Sequence, residues 1–375
     1  MKKLLAIAIS SLLLVACGGN GSEPSPTDNA KDREAILTHW VDNIIKPSYA
    51  NFKTKFDVMA AKSAAFTASP SPATLAEFRS AWQEAYLEWQ KVELFEFGPA
   101  DRQTLRNFFN IYPADVNGIA SNINDPAATL DLPASYARQG FPALDYLLFG
   151  VGTDEAAVLA FYTNSTEGQK RTAYITRLVS RMNSLLTTVI TEWNGTYRET
   201  FISKTGLDIG SSFGLVVNAY VLHFERFIRS GKIGIPSGAT IASAGVPHPE
   251  TVEAFYKRDI SKQLAINANQ AAADFFAGKN VTTGQAGPSF AAYLDALEAK
   301  DAGTGTLLST IINGQFGTII TSLNALSPSL YDQVQTNNQA MLDIYAAMQK
   351  QVRLLKVDMT SAMSITITYT DNDGD

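Results

Sequence analysis

The sequence has few of the residues on which much protein chemistry depends. Its 375 residues include one cysteine and three histidines. One cysteine cannot form an internal disulfide bond, and a three-histidine zinc site would need every histidine of the chain. The sequence also lacks a Gly-x-x-x-x-Gly-Lys-Ser/Thr loop and a Gly-x-Ser-x-Gly elbow. We therefore expect neither a P-loop nucleotide hydrolase nor an α/β-hydrolase.

Basic residues are also scarce relative to acidic ones. The chain has 30 Lys and Arg against 36 Asp and Glu, which gives a formal net charge of −6 with no basic cluster. This balance argues against nucleic acid as a partner. Hydrophobic residues make up 46% of the chain and charged residues 18%. The composition is therefore that of a globular protein of about two domains, neither disordered nor multispanning.

The N-terminus has the pattern of a bacterial export signal. Two lysines precede an apolar run over Leu4–Val15, which is too short for a stable transmembrane span. The following Leu14–Cys17 resembles a lipobox, which implies removal of residues 1–16 and lipid attachment at Cys17. Residues 17–30 are rich in Gly, Ser, Pro and Asn and predict a flexible tether. The alternative is an ordinary secretory signal with an incidental cysteine.

The rest of the chain predicts an all-α fold built of helical bundles. From Asp32 onward, apolar residues recur every three or four positions. The only strong β-branched alternation is Ile365–Tyr369, where a short extended segment is expected. The helices that we predict cover residues 78–97, 169–193, 213–228, 249–275 and 289–299, and run from about 329 toward 355.

The loop pattern predicts two domains of comparable length. A boundary near Thr205-Gly206 separates residues 31–205 from residues 206–375. Each half contains a glutamate-bearing helical stretch that ends at a glycine and a proline, over Glu93–Pro99 and Glu225–Pro236. This parallel suggests an internal duplication, although the two halves show little identity.

Five stretches together resemble the imelysin family, also called the M75 peptidase family. They are residues 40–49, 81–99, 140–150, 232–238 and 355–362. The five stretches are distributed over the whole predicted mature chain, and the resemblance depends on their order and spacing. The resemblance implies two helical-bundle domains and a periplasmic or outer-membrane lipoprotein tied to iron acquisition. The founding member of that family was described as a peptidase. Because Gly rather than Asp follows Cys17, similarity to sorted lipoproteins implies the outer membrane, with the protein facing the periplasm.

The family's signature, Gly-x-His-x-x-Glu, is altered in this chain. The corresponding stretch begins at Gly140, with Pro142 in the histidine position and Asp145 in the glutamate position. Histidine and glutamate three residues apart share a helical face and can both reach a metal. Proline offers no side-chain ligand, so the metallopeptidase assignment loses its main support. Asp145 could bind a ligand, or could lie structurally in the first turn of a helix that Pro142 opens.

Other polar residues interrupt apolar stretches. Glu93 and Glu96 follow an aromatic helix face, and we expect Arg102, Arg106 or a bound cation to neutralise them. Paired carboxylates suit Fe³⁺, Ca²⁺ or Mg²⁺, but a buried salt bridge is the alternative. His223 has the pattern of a core histidine more than of a ligand. No Glu-x-x-His occurs, which excludes a ferritin-like di-iron site.

The sequence thus predicts a non-catalytic, lipid-anchored component of iron or haem uptake in the cell envelope. Its ligand site is expected between the two bundles. No catalytic residue is assigned; iron is the candidate ligand by resemblance, and there is no zinc motif. Expected partners are the membrane, through Cys17, and iron-transport components. The alternatives are a divergent M75-type metallopeptidase and an interaction module for an outer-membrane transporter. The candidate ligand-binding residues are Asp145, Glu93, Arg102, Glu225 and Ser361.

Overall fold

The computed structural model describes residues 30–370, and over this range the protein is all-α, as predicted. No strand occurs among these residues; two isolated β-bridges close short loops at Lys279–Ala286 and Lys300–Leu307. None of the helices in this range is both long and apolar enough to cross a bilayer. The predicted signal, the lipobox cysteine Cys17 and the tether preceding residue 30 lie outside the described residues.

The described chain folds into α-helices joined by short loops, and four of the helices continue as π-helical turns. The α-helices are α1 (Ala30–His39), α2 (Lys46–Ala68), α3 (Pro72–Trp89), α4 (Pro99–Arg102), α5 (Leu105–Phe109), α6 (Val116–Asn124), α7 (Gly140–Asp145), α8 (Glu155–Thr163), α9 (Ser165–Asn194), α10 (Tyr197–Ser203), α11 (Ser212–Leu222), α12 (Ile235–Ser237), α13 (Ser261–Phe276), α14 (Phe290–Ala296), α15 (Leu308–Asn324), α16 (Leu330–Arg353) and α17 (Thr360–Ala362). The π-helical segments are Trp40–Ile45, Tyr146–Gly150, His223–Gly234 and Leu354–Met359.

Several predicted helices are confirmed, including their start signals. The helix expected over 169–193 is α9, which is slightly longer at both ends. Ser289 caps α14 by accepting a hydrogen bond from the Ala292 N–H, and Ser329 caps α16 by accepting one from the Asp332 N–H. A serine side chain at this position satisfies an amide that has no partner inside the helix. The helix predicted over 213–228 extends further, because π-helical turns continue it to Gly234.

Two predicted helices are wrong in their bounds. The helix expected over 78–97 ends at Trp89, and the chain then turns into a single 3₁₀ turn, Glu93–Phe95. The helix expected over 249–275 begins only at Ser261, after a 3₁₀ turn at Pro249–Thr251. In the second case Ala254 and Arg258 have positive φ angles of 57° and 61°, which an α-helix cannot contain. Both irregular stretches place polar groups at the site described below.

A single hydrophobic core extends across the predicted domain boundary. The residues of the predicted boundary, Thr205-Gly206, lie in the loop between α10 and α11. Trp40, from the first half, lies with its ring centroid 5.7 Å from that of Phe213 and 4.9 Å from that of Phe275, both in the second half. Because these stacked rings join the halves, the division into two domains stays a prediction, as does the internal duplication.

Residues 365–369 form no strand. They run instead along α11, where the Asn218 side chain donates to the Thr366 carbonyl at 3.0 Å and accepts from the Thr368 N–H at 2.7 Å. One amide side chain therefore replaces the strand partner that the alternating pattern of Ile365–Tyr369 suggested.

Candidate functional site

A cluster of buried polar side chains lies where the two halves meet, and we call it the junction cluster. All its members are at most 3% exposed, although four of them are ionisable acids or bases from opposite halves. Burial of such groups is costly unless they are paired or hydrogen-bonded. The cluster consists of Gln90, Glu93 and Asn110 from the first half and His223, Lys232 and Glu253 from the second.

Irregular backbone positions every charged member of the cluster. Glu93 lies in the 3₁₀ turn after α3, and Glu253 lies in the non-helical stretch before α13. His223 and Lys232 belong to the π-helical segment His223–Gly234. Two side chains nine positions apart in an α-helix would point to opposite faces, since each residue turns the helix by about 100°. The wider π-helical turns instead bring both side chains toward Glu93.

Lys232 is the cation at the centre of the cluster. Its Nζ donates to Glu253 Oε2 at 2.5 Å and to Gln90 Oε1 at 2.7 Å. The same Nζ lies 3.8 Å from Glu93 Oε2. A single ammonium group therefore faces two buried carboxylates, one from each half, and its position makes the pair tolerable in the core.

Asn110 links the same two carboxylates through its amide. Its Nδ2 donates to Glu93 Oε1 and to Glu253 Oε1, both at 2.8 Å, while its Oδ1 accepts from the Tyr86 hydroxyl at 2.6 Å. Gln90 Nε2 adds a further hydrogen bond to Glu253 Oε1 at 3.0 Å. Glu253 is thus fully engaged, whereas Glu93 receives hydrogen bonds on one oxygen only.

The junction cluster keeps three buried polar atoms without a hydrogen-bond partner among the described residues. They are Glu93 Oε2 and both ring nitrogens of His223, Nδ1 and Nε2. His223 Nε2 lies 3.5 Å from Glu93 Oε2, which is too far for a good hydrogen bond. Buried polar atoms are nearly always hydrogen-bonded, so an imidazole and a neighbouring carboxylate oxygen that both lack a hydrogen bond are unusual.

The electrostatics keep this pair as a carboxylate and a neutral imidazole. Burial opposes the ionisation of Glu93, but the charge of Lys232 and the hydrogen bond from Asn110 favour it, and the pKa of Glu93 is lowered to about 2. Burial also lowers the pKa of His223 below its ordinary value, despite the nearby Glu93. At neutral pH the imidazole therefore offers a nitrogen lone pair, and the carboxylate offers an open oxygen.

Glu96, predicted to share the face of Glu93, lies in a different environment. Both its carboxylate oxygens accept a hydrogen bond from the backbone N–H of Arg106, at 3.2 and 3.1 Å. Burial nonetheless raises the pKa of Glu96 to about 7. Of the expected cations, Arg102 does not neutralise Glu93, because its side chain is exposed and pairs with Glu192, whereas the charge of Arg106 favours the ionised form of Glu96. For Glu93, Lys232 takes that role.

Asp145 lies at the end of α7, where it joins the two halves through the backbone. Its Oδ2 accepts from the Tyr256 N–H at 2.8 Å and its Oδ1 from the Lys257 N–H at 2.9 Å. Burial raises the pKa of Asp145 to about 7, although these two donors favour the ionised form. The prediction that Asp145 lies in the first turn of a helix is wrong, since α7 begins at Gly140. The ligand-binding role of Asp145 stays a prediction.

The glycine of the altered motif has a clear structural purpose. Gly140 has φ of 75°, and a Cβ there would come within 2.3 Å of the Phe109 carbonyl oxygen. Only glycine allows both this conformation and this close approach. Pro142 lies in the first turn of α7, where a missing N–H costs little. The altered motif therefore forms the start of α7, and this helix positions Asp145 beside the second half of the chain.

The remaining predicted residues, Glu225 and Ser361, do not join the junction cluster. Glu225 is buried in a separate group, where its Oε1 accepts from Lys356 Nζ at 2.9 Å and its Oε2 from the Tyr369 hydroxyl at 2.7 Å. Ser361 is exposed on α17. The structure thus brings together Glu93 and residues that were not predicted as site residues, while the roles of Glu225, Ser361 and Arg102 in ligand binding stay predictions.

Within residues 30–370, no three His, Cys, Asp or Glu side chains lie close enough to hold a metal ion by themselves. The junction cluster offers two adjacent open donors, one nitrogen and one oxygen. This arrangement can contribute to binding an iron that brings its other ligands with it, because imidazole and carboxylate both bind iron.

Comparison with known proteins finds similarity to an iron-regulated protein and to imelysin-like proteins. The profile of the Imelysin (peptidase M75) family matches residues 45–357. Iron-regulated protein A of Synechococcus elongatus is 27% identical over 121 residues, which cover 31% of this chain and 33% of that protein. The chain therefore matches only about a third of the length of this curated relative.

Two crystal structures share the fold. One is an iron-regulated protein A precursor from Parabacteroides distasonis, with a TM-score of 0.69 and 19% identity over 91% of this chain and 97% of that one. The other is an imelysin-like protein from Psychrobacter arcticus, with a TM-score of 0.68 and 17% identity over 91% and 98%. At these identities the likeness shows the fold alone. Together with the family match over most of its length, it establishes that this chain belongs to the imelysin family.

Proposed function

We propose that this protein is a non-catalytic, lipid-anchored binding component of iron uptake, with its ligand site at the junction cluster. The observation that carries the proposal is the unpaired state of the His223 ring and of Glu93 Oε2 in the core. The iron specificity is inferred from two of the relatives, which are named iron-regulated protein A.

Buried polar atoms without a hydrogen bond indicate a binding site because they lower the stability of the folded protein. Each buried polar atom without a partner costs about 1–3 kcal/mol relative to a satisfied one. A hydrophobic side chain at position 223 would avoid that cost. Departures of this kind concentrate at functional sites, where a ligand supplies the missing contact. The location of the cluster between the halves fits this interpretation, since small movements of the halves could admit a ligand.

Binding is favoured over hydrolysis by the chemistry of the altered motif. Pro142 supplies no ligand, and both oxygens of Asp145 accept backbone N–H groups of the second half. The residue in the glutamate position thus holds the fold together through Tyr256 and Lys257. A divergent metallopeptidase would need a metal centre built elsewhere, and cleavage of casein by purified protein, abolished by a chelator, would establish that alternative.

The proposed ligand is iron in complex, as a chelate or as haem. His223 would supply its neutral nitrogen, and Glu93 its open carboxylate oxygen, to an iron whose remaining positions are filled by the carrier. Lys232 would stay between Glu93 and Glu253 and offset the negative charge of the site.

The test is titration of the purified mature protein with ferric citrate, ferrous iron and haem, followed by calorimetry and, for haem, by absorption. We expect at least one of the three to bind, and the His223→Gln variant to lose about tenfold or more in affinity, because one donor is removed. Lys62→Met, which breaks an exposed pair with Glu77 far from the cluster, serves as the matched control and should bind normally.

The Asp145→Asn variant separates the two candidate sites. It should bind as the unaltered protein does if the junction cluster is the site. Loss of binding in Asp145→Asn, with His223→Gln unaffected, would instead establish Asp145 as the ligand residue. If none of the three iron forms binds, the proposal fails, and the interaction module for a membrane transporter becomes the better hypothesis.

The anchoring part of the proposal rests on the lipobox pattern at Leu14–Cys17. Cells fed an alkyne-labelled fatty acid should incorporate the label into this protein, and Cys17→Ser should abolish labelling and release the protein from the membrane fraction. More than one acyl chain on a residue gives stable anchoring, whereas a single chain gives only marginal binding. Unlabelled, soluble protein in the unaltered strain would contradict the anchor.

A further inference from the structure

An open cleft between α2 and α13 forms a second candidate site, separate from the junction cluster. It has a volume of about 300 Å³ and contains none of the six residues of that cluster. One side is built by α2 and the turn after α3, and the other by α13 and the loop over 279–284. Its size is at the lower end for ligand pockets, which indicates a small ligand.

Each side of the cleft carries an ion pair at its rim. Lys91 Nζ lies 2.8 Å from Glu88 Oε2 on the first side, and Lys279 Nζ lies 2.7 Å from Asp274 Oδ1 on the second. Both lysine side chains are about half exposed. Exposed pairs of this kind contribute little to stability, so a ligand can displace either partner at small cost. The cleft therefore offers two negative and two positive groups to one small molecule.

An unpartnered hydroxyl points to a ligand inside the cleft. Ser48 is only 4% exposed and lines the cleft, yet its side chain forms no hydrogen bond within the described residues. Thr54, one and a half turns further along α2, satisfies its hydroxyl by donating to the Ala50 carbonyl. The Ser48 hydroxyl makes no such bond and lines the cleft, where it is available to a bound molecule.

Part of the cleft wall is apolar, beside the amide side chains that also line it. Phe95 and Phe275, whose ring centroids lie 5.6 Å apart, line it together with Ile44 and Ala271. Both phenylalanine rings are at most 2% exposed, so they offer edges rather than an open face for stacking on a sugar. A short hydrocarbon side chain suits such a surface better than a polyhydroxylated ring.

We propose that this cleft binds a small zwitterion with an apolar side chain, namely a free α-amino acid or a dipeptide. The ligand's ammonium group would bind Glu88 and Asp274, and its carboxylate would bind Lys91 and Lys279. Its side chain would contact the apolar part of the wall beside the Ser48 hydroxyl. A neutral or zwitterionic ligand matches the balanced charges of the rim, whereas a strongly anionic or cationic ligand would meet like charges. This proposal does not depend on the iron site.

The test uses purified mature protein with L-leucine, with the dipeptide Leu-Leu, and with N-acetyl-leucine methyl ester, which keeps the side chain and lacks both charges. We expect one or both zwitterions to raise the melting temperature in a saturable way and the capped ester to have no effect. Stabilisation by L-leucine would indicate a free amino acid as the ligand, and stabilisation by Leu-Leu would indicate a dipeptide. Equal stabilisation by the capped ester, or none by any of the three, would overturn the proposal.

Variants locate the binding. Asp274→Asn removes one partner of the ammonium group and should weaken binding about tenfold or more, since a hydrogen bond to a charged group is lost. Ser48→Ala should cause a smaller loss. Asp57→Asn removes the carboxylate of an equivalent exposed pair with Lys53 elsewhere on α2, and serves as the matched control. If Asp274→Asn and Glu88→Gln both bind like the control, the zwitterion does not occupy this cleft.

Discussion

The junction cluster and the altered motif both place a buried carboxylate where the two halves meet, and the two carboxylates are used differently. Both carboxylate oxygens of Asp145 accept hydrogen bonds, from the backbone N–H groups of Tyr256 and Lys257. Glu93 is hydrogen-bonded on one oxygen and keeps the other open beside an unpaired imidazole. Residue type and burial therefore do not distinguish the two carboxylates, whereas unsatisfied hydrogen-bonding capacity does, and it is the basis on which we propose the junction cluster as the site.

The largest effect on this comparison should come from Lys232. The Lys232→Met variant keeps most of the side-chain volume but removes the one cation that faces both Glu93 and Glu253. Removing one partner of a buried ion pair costs about 3–5 kcal/mol, because the other charge is left uncompensated. Urea denaturation should show this loss. Lys62→Met, at an exposed pair with Glu77, should change stability by less than about 1 kcal/mol.

If Lys232→Met lost no more than its control, the carboxylates of the junction cluster would not be ionised together. The cluster would then be a hydrogen-bonded network of neutral acids, and the contrast with Asp145 would disappear.

A smaller loss is expected at the altered motif. Asp145→Ala leaves the N–H groups of Tyr256 and Lys257 without their acceptor, at a cost of about 1–3 kcal/mol. Thermal and urea denaturation measure this loss. Asp301→Ala is a matched control, because Asp301 also accepts from two backbone N–H groups, those of Gly303 and Thr304, but in an exposed loop where water can replace it. Equal losses in the two variants would show that Asp145 does not fasten the halves together.

The stability of the protein should depend on pH in opposite directions for the two carboxylates, Asp145 and Glu93. The pKa of Asp145 is raised to about 7, so between about pH 4 and 7 the folded state binds more protons than the unfolded state. Stability from this group is therefore complete at low pH and is lost as the pH rises through 7, by up to about 1.4 kcal/mol per pH unit. The pKa of Glu93 is lowered to about 2, so its contribution is lost only as the pH falls below about 4.5.

Urea denaturation at a series of pH values tests this contrast. Asp145→Asn should flatten the decline between about pH 5 and 7 relative to the unaltered protein, and it should leave the acid limb unchanged. Because Glu96 titrates in the same direction, with a pKa raised to about 7, the difference between the two proteins is the informative quantity. An unchanged slope in Asp145→Asn would show that Asp145 is ionised throughout this range.

The sequence predicted the helices that follow a simple period and missed the sites where the period breaks. The helix α9 and the serine caps of α14 and α16 were readable because apolar spacing and capping residues agree. The stops at Trp89 and before Ser261 were not, because the irregular backbone there makes tertiary hydrogen bonds, from the Asn110 amide to Glu93 and from the Lys257 N–H to Asp145. No local signal records such long-range partners.

The candidate site was only partly predictable for the same reason. Glu93 was identified because a carboxylate on an apolar stretch needs a partner. Lys232 was not identified as that partner, because α-helical spacing places it opposite to His223, and only the π-helical turns of His223–Gly234 reunite them. A run with this geometry has no signature in residue periodicity.

The smallest expected effect sharpens the comparison most. His223→Leu replaces an imidazole that makes no hydrogen bond with an apolar side chain in a fully buried position. Because no hydrogen bond is lost and two unsatisfied atoms are removed, stability should change by less than about 1 kcal/mol, or should increase. Urea denaturation measures the free energy of unfolding of both variants, and Asp145→Ala should lose more stability than His223→Leu. A stable His223→Leu that no longer binds iron would show that the histidine is kept for its ligand, since the fold does not need it. A large loss of stability would instead reveal that His223 has a structural partner, and the open pair with Glu93 would no longer mark a site.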